Sequence, residues 1–304
     1  MPPYRTVNPS PRTYEVTILK NMIYAHEHLT IDLSGVKGDA DCRMDDRALA
    51  LAELKRLAAA GVAAVVDQTA RGMGRNPLYA QALADAAGLR LVHATGYYKE
   101  PFLPPECYAM SCREMAALFV KELTQGMDDT GLRAGLIGEI GTGKGAITPI
   151  ERQIFEAAAI AHAETGAPIC THTTLGTLGL GQLALFQGYG VDLSRVVLSH
   201  IDLSGDVDYM LRLLDTGVNI AFDTVGKNNY QPDEGRTDWL TTLCERGYAP
   251  QIVLSMDLTR ISNVKELGYD YLLTRFVPAL LDRGFRPEWL DAMLCSNPSR
   301  IYAV

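Results

Sequence analysis

At 304 residues, 47% of them hydrophobic and 21% charged, the chain carries enough apolar material for a large core, which excludes a disordered, collagenous or disulfide-dense class. Its 28 basic and 36 acidic residues leave a net charge of −8, which argues against nucleic acid or an anionic membrane surface as partner. The six cysteines (Cys42, Cys107, Cys112, Cys170, Cys244, Cys295) show no C-x-x-C spacing and read as reduced thiols; with no N-terminal apolar h-region and no run of about 18 apolar residues, a cytoplasmic protein is expected.

Residues 1–20 mix Pro, Arg, Tyr and Glu and read as an N-terminal extension, leaving 21–304 as one domain, since no linker or low-complexity tract divides it. From Met22 onward, short apolar runs alternate with segments of helical period, the pattern of repeated βα units. Eight such runs are found: Met22–Ala25, Val62–Val66, Leu89–Ala94, Gly135–Ile140, Pro168–Thr171, Val196–Ser199, Val218–Phe222 and Ile252–Met256. Most are too apolar to alternate, as parallel strands covered on both faces should be. Helices are predicted at Asp45–Ala60, Asn76–Ala87, Arg113–Gln125, Pro149–Glu164 and Asp206–Leu214, with Thr148 as an N-cap and Gly61, Gly88, Gly166 and Gly217 at their ends. Eight βα units closing on themselves predict an α/β (β/α)8 TIM barrel. The alternative, a doubly wound open sheet, lacks its usual G-x-G-x-x-G after the first strand.

In such a barrel the chemistry sits at the C-terminal ends of the strands. There the chain concentrates its titratable residues. The first run leads into His26-Glu27-His28, the fourth carries Glu139, the fifth and sixth end at His172 and His200, and the eighth leads to Asp257. His26 and His28, two apart on extended chain, face one side while Glu27 faces the other. Each histidine alone could be an ordinary hydrogen-bonded residue. Together, four imidazoles and two carboxylates on one rim would repel if unpaired, whereas two divalent cations satisfy all of them. His93, inside the third strand, and His162, on a helix, are expected to stay outside this group.

The segments A-H-E-H-L-T-I-D-L, G-L-I-G-E-I-G, P-I-C-T-H-T, V-V-L-S-H-I-D and L-S-M-D, with the closing S-N-P-S-R-I-Y, resemble the phosphotriesterase family of the amidohydrolase superfamily from Tyr24 to Tyr302. The likeness is to members whose bridging residue is a glutamate. It implies two metal ions per chain, with His26, His28 and Asp257 on the more buried one, His172 and His200 on the more exposed one, and Glu139 between them. Zn2+ suits this donor set, with manganese, cobalt and iron left open. Many relatives carry a carbamylated lysine in the column Gly138 occupies here, so Glu139 is offset by one residue and should face away unless the strand bulges. Lys144 lies beyond the strand. Thr224 stands near the position of a relay histidine in organophosphate-hydrolysing members, which lowers the turnover expected on phosphotriesters.

A water shared by two such cations would lose a proton near neutral pH and attack an ester bond, with Asp257 as the general base. Lys227, Tyr230 and Arg260 in the loops after strands seven and eight suit an anionic group, unless they are solvated or paired with Asp233 and Glu234. The resemblance implies that Tyr98 faces the metals. Asp67 and Asp202 are read as orienting the histidines or pinning the rim. The expected substrate is a small ester, a lactone first of all, and a phosphorylated sugar lactone within that class. A phosphoester or phosphotriester hydrolase with the same site, and a catalytically silent zinc-binding homologue, are the alternatives; a homodimer is the protein partner considered.

Overall fold

The computed structural model describes residues 19–304, so the expected extension falls almost entirely outside the described residues. Eight parallel strands form one sheet in chain order: β1 (Met22–Glu27), β2 (Val62–Asp67), β3 (Arg90–Thr95), β4 (Ala134–Thr142), β5 (Ile169–Thr173), β6 (Val196–Ser199), β7 (Asn219–Phe222) and β8 (Ile252–Leu254). Helices α1 (Arg47–Ala59), α2 (Pro77–Ala87), α3 (Cys112–Thr124), α4 (Pro149–Thr165), α5 (Gly179–Gly188), α6 (Val207–Leu214) and α7 (Asp233–Glu245) fill the crossovers. The sheet is nearly closed. Its seam is made beyond the ladder, where the Asp257 amide donates to the His26 carbonyl at 3.2 Å and the His26 amide to Ser255 Oγ at 3.0 Å.

Two apolar shells follow from the two-residue period of the strands. Inside the barrel lie Ala25, Ala64, Val66, Ala94, Leu136, Cys170, Val197, Ala221 and Val253, closed at the bottom by Tyr302. Many of these are small. The Tyr302 hydroxyl reaches in far enough to donate to the Ala25 carbonyl at 3.3 Å. The outer shell packs strands against helices through residues such as Tyr24, Val65, Ile169 and Leu198.

The helices begin where local chemistry satisfies their first amides. Asp46, Asn76 and Asp206 cap α1, α2 and α6, and Ser111 and Thr148 form capping boxes with Glu114 and Glu151. Gly88 and Gly166 end α2 and α4 in left-handed conformation.

Strand ends differ from the expected runs in ways that serve the rim. β1 runs on to Glu27, which pairs with Asp67, while β8 stops at Leu254 instead of Met256. After β8 the chain leaves the ladder, and Asp257 takes a left-handed φ of 47°. His200 does the same after β6, at φ 60°. Non-glycine residues in this region cluster at functional sites, because the surroundings must hold them there.

The offset of Glu139 is resolved by a bulge. Ile137 pairs with Ile169 but Ile140 with Thr171, so β4 carries one residue more than β5 across this stretch. Ile137 and Ile140 both face the outer shell, which turns Glu139 to the interior. Gly138 makes this packing possible, since with φ 152° a Cβ there would lie 2.5 Å from the Cys170 carbonyl oxygen. Gly138→Ala is therefore expected to cost ~3 kcal/mol of stability, read as a lower urea midpoint.

Candidate metal centre

All six expected ligand positions converge at the C-terminal mouth of the barrel. Glu139 lies at their centre, with its carboxylate 3.6 Å from His26 Nε2, 3.5 Å from His28 Nε2, 3.3 Å from His172 Nδ1 and 3.5 Å from His200 Nε2. Asp257 Oδ1 stands 3.3 Å from His28 Nε2 and 3.6 Å from His26 Nε2. Except for His172, which is partly open to the cavity, the six are buried.

The rings are held from behind, which fixes which nitrogen faces inward. His200 Nδ1 lies 2.9 Å from Asp223 Oδ1, an acceptor only, so Nδ1 carries the proton and Nε2 offers its lone pair to the centre. Thr69 donates its hydroxyl proton to Asp67 Oδ1 at 2.6 Å and accepts from His28 Nδ1 at 2.9 Å, with the same result for His28. His26 Nδ1 is 2.9 Å from Asp223 Oδ2 and 3.0 Å from Ser199 Oγ. His172 is turned the other way. Its Nε2 donates to Thr174 Oγ1 at 3.2 Å, whose proton goes to the Thr142 carbonyl, leaving Nδ1 toward Glu139.

These residues fit a pair of cations. His26 Nε2, His28 Nε2 and Glu139 Oε2 are buried polar atoms with no hydrogen-bond partner among the described residues. Such atoms are costly unless something else satisfies them. Two clusters have donor atoms within 4.8 Å of one another, His26–His28–Glu139 and Glu139–His172–His200, and the glutamate belongs to both. A third grouping, His26–His200–Asp223, uses the backs of the rings, where hydrogen bonding already accounts for His200.

The electrostatics favour positive charge at this point. Burial works against the charged form of Glu139, yet the surrounding imidazoles of His172, His200 and His26 hold it well below the usual carboxylate range. Burial pushes His28 down, but the facing carboxylates of Asp257 and Glu139 outweigh it and lift the imidazole to about 10, so a proton and a metal cation compete for its inward nitrogen. His172 goes to about 4, through burial first and then the charge of His200, against the opposing pull of Glu139. Asp257 is held low against burial by Lys227 and the nearby imidazoles.

The residues predicted to bind substrate divide. Tyr98 lies at the mouth, its hydroxyl 3.1 Å from His172 Nδ1. Lys227 also lines the mouth but is committed, its ammonium donating to Asp257 Oδ2 at 2.6 Å and to the Asp257 carbonyl. Tyr230 stands exposed on the rim of the same cavity of about 270 Å³, with Ile31, Lys99, Phe102 and Leu203 on other walls. Arg260 is not brought to that cavity; it lines an adjoining one of about 520 Å³ and pairs with Asp39 at 2.5 Å and Asp41 at 3.5 Å. Asp233, considered as a partner for this trio, instead accepts from buried Arg236 at 2.9 Å.

Arg236 also accounts for Asp202 and Thr224. Its Nε donates to Asp202 Oδ2 at 2.7 Å and another guanidinium nitrogen to Thr224 Oγ1 at 2.8 Å, while the Thr224 proton goes to Asp202. Asp202 therefore pins the rim and touches no ligand histidine. His93 and His162 lie outside the centre, bonded to Gln81 Oε1 at 3.0 Å and the Ala167 carbonyl at 2.8 Å.

Asp223 and Glu27 were not assigned these roles from the sequence. Asp223 directly follows the seventh apolar run, Val218–Phe222, as Asp257 follows the eighth, so the rule that singled out strand-terminal residues reaches it too. Glu27 accepts from Ser255 Oγ and the Met256 amide, both at 2.8 Å, and locks the seam. Asp223→Ala is expected to weaken metal binding about 10–100-fold, measured by chelator competition, because two ligand rings lose their backing.

The chain is similar in sequence and fold to known proteins. The phosphotriesterase family model matches residues 15–302 of the chain. The phosphotriesterase homology protein of Escherichia coli (strain K12) is 47% identical over 281 residues, which cover 91% of this chain and 96% of that protein. Its crystal structure with phosphate in the active site superposes at a TM-score of 0.91 with 46% identity, covering 93% of this chain and 99% of that one. A lactonase from Listeria monocytogenes superposes at 0.89 with 26% identity, covering 93% and 94%. The N-acetyltaurine hydrolase of Homo sapiens is 30% identical over 263 residues, covering 82% of this chain and 75% of that protein. The chain belongs to the phosphotriesterase family.

Proposed function

We propose that the chain is a binuclear metal-dependent hydrolase, with zinc as its metal, that opens the ester bond of a small lactone, above all one carrying an anionic group. The observation that carries this reading is the sharing of Glu139 between two donor clusters whose inward atoms are buried and otherwise unsatisfied. His26, His28 and Asp257 would hold one ion and His172 and His200 the other, with Glu139 contributing to both. When bound, such a pair lowers the pKa of water to near neutrality and polarises the carbonyl under attack.

The chain's own groups supply the rest. Asp257 Oδ1 faces the inward nitrogens of His26 and His28, so the carboxylate is placed to take the proton of the attacking water and return it to the leaving oxygen. Lys227 fixes the Asp257 side chain by its bond to Oδ2 and keeps it ionised. Tyr98 keeps its phenolic proton, because burial raises its pKa and the charges of Glu139 and Asp257 add to that, so it can donate to a substrate oxygen. Leu203 and Ile31 give the ring an apolar wall.

A likeness to a lactonase fold and to hydrolases of other substrates supports the class of reaction. The Thr224 hydroxyl, taken up by Asp202 and Arg236, is not free to relay a proton, which favours carboxylic esters over phosphotriesters. The test is metal analysis with a panel of neutral and phosphorylated γ- and δ-lactones against aryl phosphotriesters. Two equivalents of metal with lactone turnover support the reading; turnover confined to phosphoesters, or none on any substrate, would reject it.

A further inference from the structure

The anionic group assigned to the substrate needs a cation to meet it, and the two basic residues expected to do so after strands seven and eight are occupied. Lys227 is bound to Asp257, and Arg260 is paired with Asp39 and Asp41 beside the adjoining cavity. Two other lysines are not occupied in this way. Lys37 and Lys99, from the connections after β1 and β3, both line the cavity that contains Glu139 and Asp257, and Lys37 stands where this cavity adjoins that of Arg260. Neither has a carboxylate within ion-pairing distance among the described residues.

The two ammonium groups share one aromatic support. Lys99 Nζ lies 5.1 Å from the Phe102 ring centroid and 5.4 Å from that of Tyr98, and Lys37 Nζ lies 6.0 Å from the same Phe102 ring. Lys99 also donates to the Glu100 carbonyl at 3.2 Å, which draws its head group to the loop wall. Two like charges on one ring repel each other, and the lost solvation of Lys99 is only partly offset by the ring faces. Burial holds the Lys99 ammonium below its usual range and Lys37 adds to the effect, with Glu151 and Glu139 opposing. In a chain of net charge −8, a pair of ammoniums without carboxylate partners at the mouth of the site is a local reversal of sign.

Resting on the lactone-hydrolase reading above, we propose that Lys37 and Lys99, backed by Phe102, form the seat for a phosphate monoester carried by the substrate, with Arg260 left to its pairing with Asp39 and Asp41. A phosphate dianion meets both ammonium charges, whereas a carboxylate neutralises one. The seat and the reacting centre open into the same cavity, so a short molecule can engage both. The two lysines then act on affinity and substrate choice, while the chemistry stays with Asp257 and the centre.

The test is calorimetric binding of ribose 5-phosphate, which has the ring and phosphate of such a substrate but no scissile ester, to the metal-loaded protein. In Lys37→Met/Lys99→Met, which keeps the aliphatic stems, affinity is expected to fall at least tenfold, and Lys37→Arg/Lys99→Arg is expected to recover most of it. Metal content and melting temperature, measured on the same preparations, show that the fold and centre are intact. The proposal is overturned if the double methionine variant binds within twofold of the unaltered protein, if Arg260→Met causes the loss instead, or if the unaltered protein does not bind at millimolar concentration. Tighter binding of riburonate, which has a carboxylate as its only anionic group, would overturn the assignment to phosphate. Because no hydrolysis is measured, a protein that binds the probe through these lysines yet opens no lactone would reject the reaction and leave the seat standing.

Discussion

Glu139→Gln is expected to lower turnover about 1,000-fold and to leave the protein with at most one tightly held metal ion. The substitution is nearly isosteric, so the β4 bulge, the packing of Gly138 on Cys170 and the outward positions of Ile137 and Ile140 should persist. What changes is charge and donor number. The carboxylate faces four imidazole nitrogens at 3.3–3.6 Å and belongs to both donor clusters. A carboxamide offers one neutral oxygen in its place, and its NH2 group points a donor at a cation or an imidazole. Elemental analysis after dialysis, with circular dichroism to confirm the fold, gives the reading. A variant retaining both ions and turnover within tenfold of the unaltered enzyme would show that the glutamate does not join the two clusters.

This residue also marks where the sequence stops being informative. A two-residue period assigns faces along a regular strand, as in β2, where Ala64 and Val66 point into the barrel and Val65 packs outside it. At Glu139 that period would turn the side chain outward, and only the extra residue between Ile137 and Ile140 brings it in. A bulge depends on how the neighbouring strand packs, here on the absence of a Cβ at Gly138 against Cys170, and such a long-range contact is not encoded in local pattern. The barrel itself was legible because each βα unit states its own boundaries through apolar runs, caps and glycines.

Pairing partners were harder to read than positions. The loop cations Lys227 and Arg260 stand at the expected end of the barrel, but their charges are spent on Asp257 and on Asp39 with Asp41, which lie 30 and about 220 residues away in sequence. Nothing local marks Lys37 and Lys99, each an ordinary surface-type residue in its own strand-to-helix connection; only the closed barrel places both around Phe102. Asp202 and Asp67 look equivalent in sequence, each just beyond a strand. The difference between them is Arg236, which occupies the first, and Thr69, which passes the hydrogen bond of the second to His28.

Asp257→Asn is expected to lower kcat by about 100- to 10,000-fold, with KM for a lactone changed far less, since a positioned proton acceptor acts in the transition state and contributes little to ground-state binding. Its carboxylate is prepared on both sides. Oδ1 faces the His26 and His28 nitrogens, and Oδ2 accepts from Lys227 at 2.6 Å. The left-handed backbone at Asp257 sets that direction, held by the amide bond to the His26 carbonyl and by Glu27 on the Met256 amide. Asparagine keeps an oxygen for one of these contacts but cannot receive a proton near neutral pH. Lys227→Met separates the two contributions. It leaves the carboxylate in place but removes the ammonium, so its effect on kcat should be smaller than that of the asparagine substitution. Equal losses in the two variants, or an Asp257→Asn enzyme whose kcat stays within threefold, would move the proton-accepting role to another group on the rim.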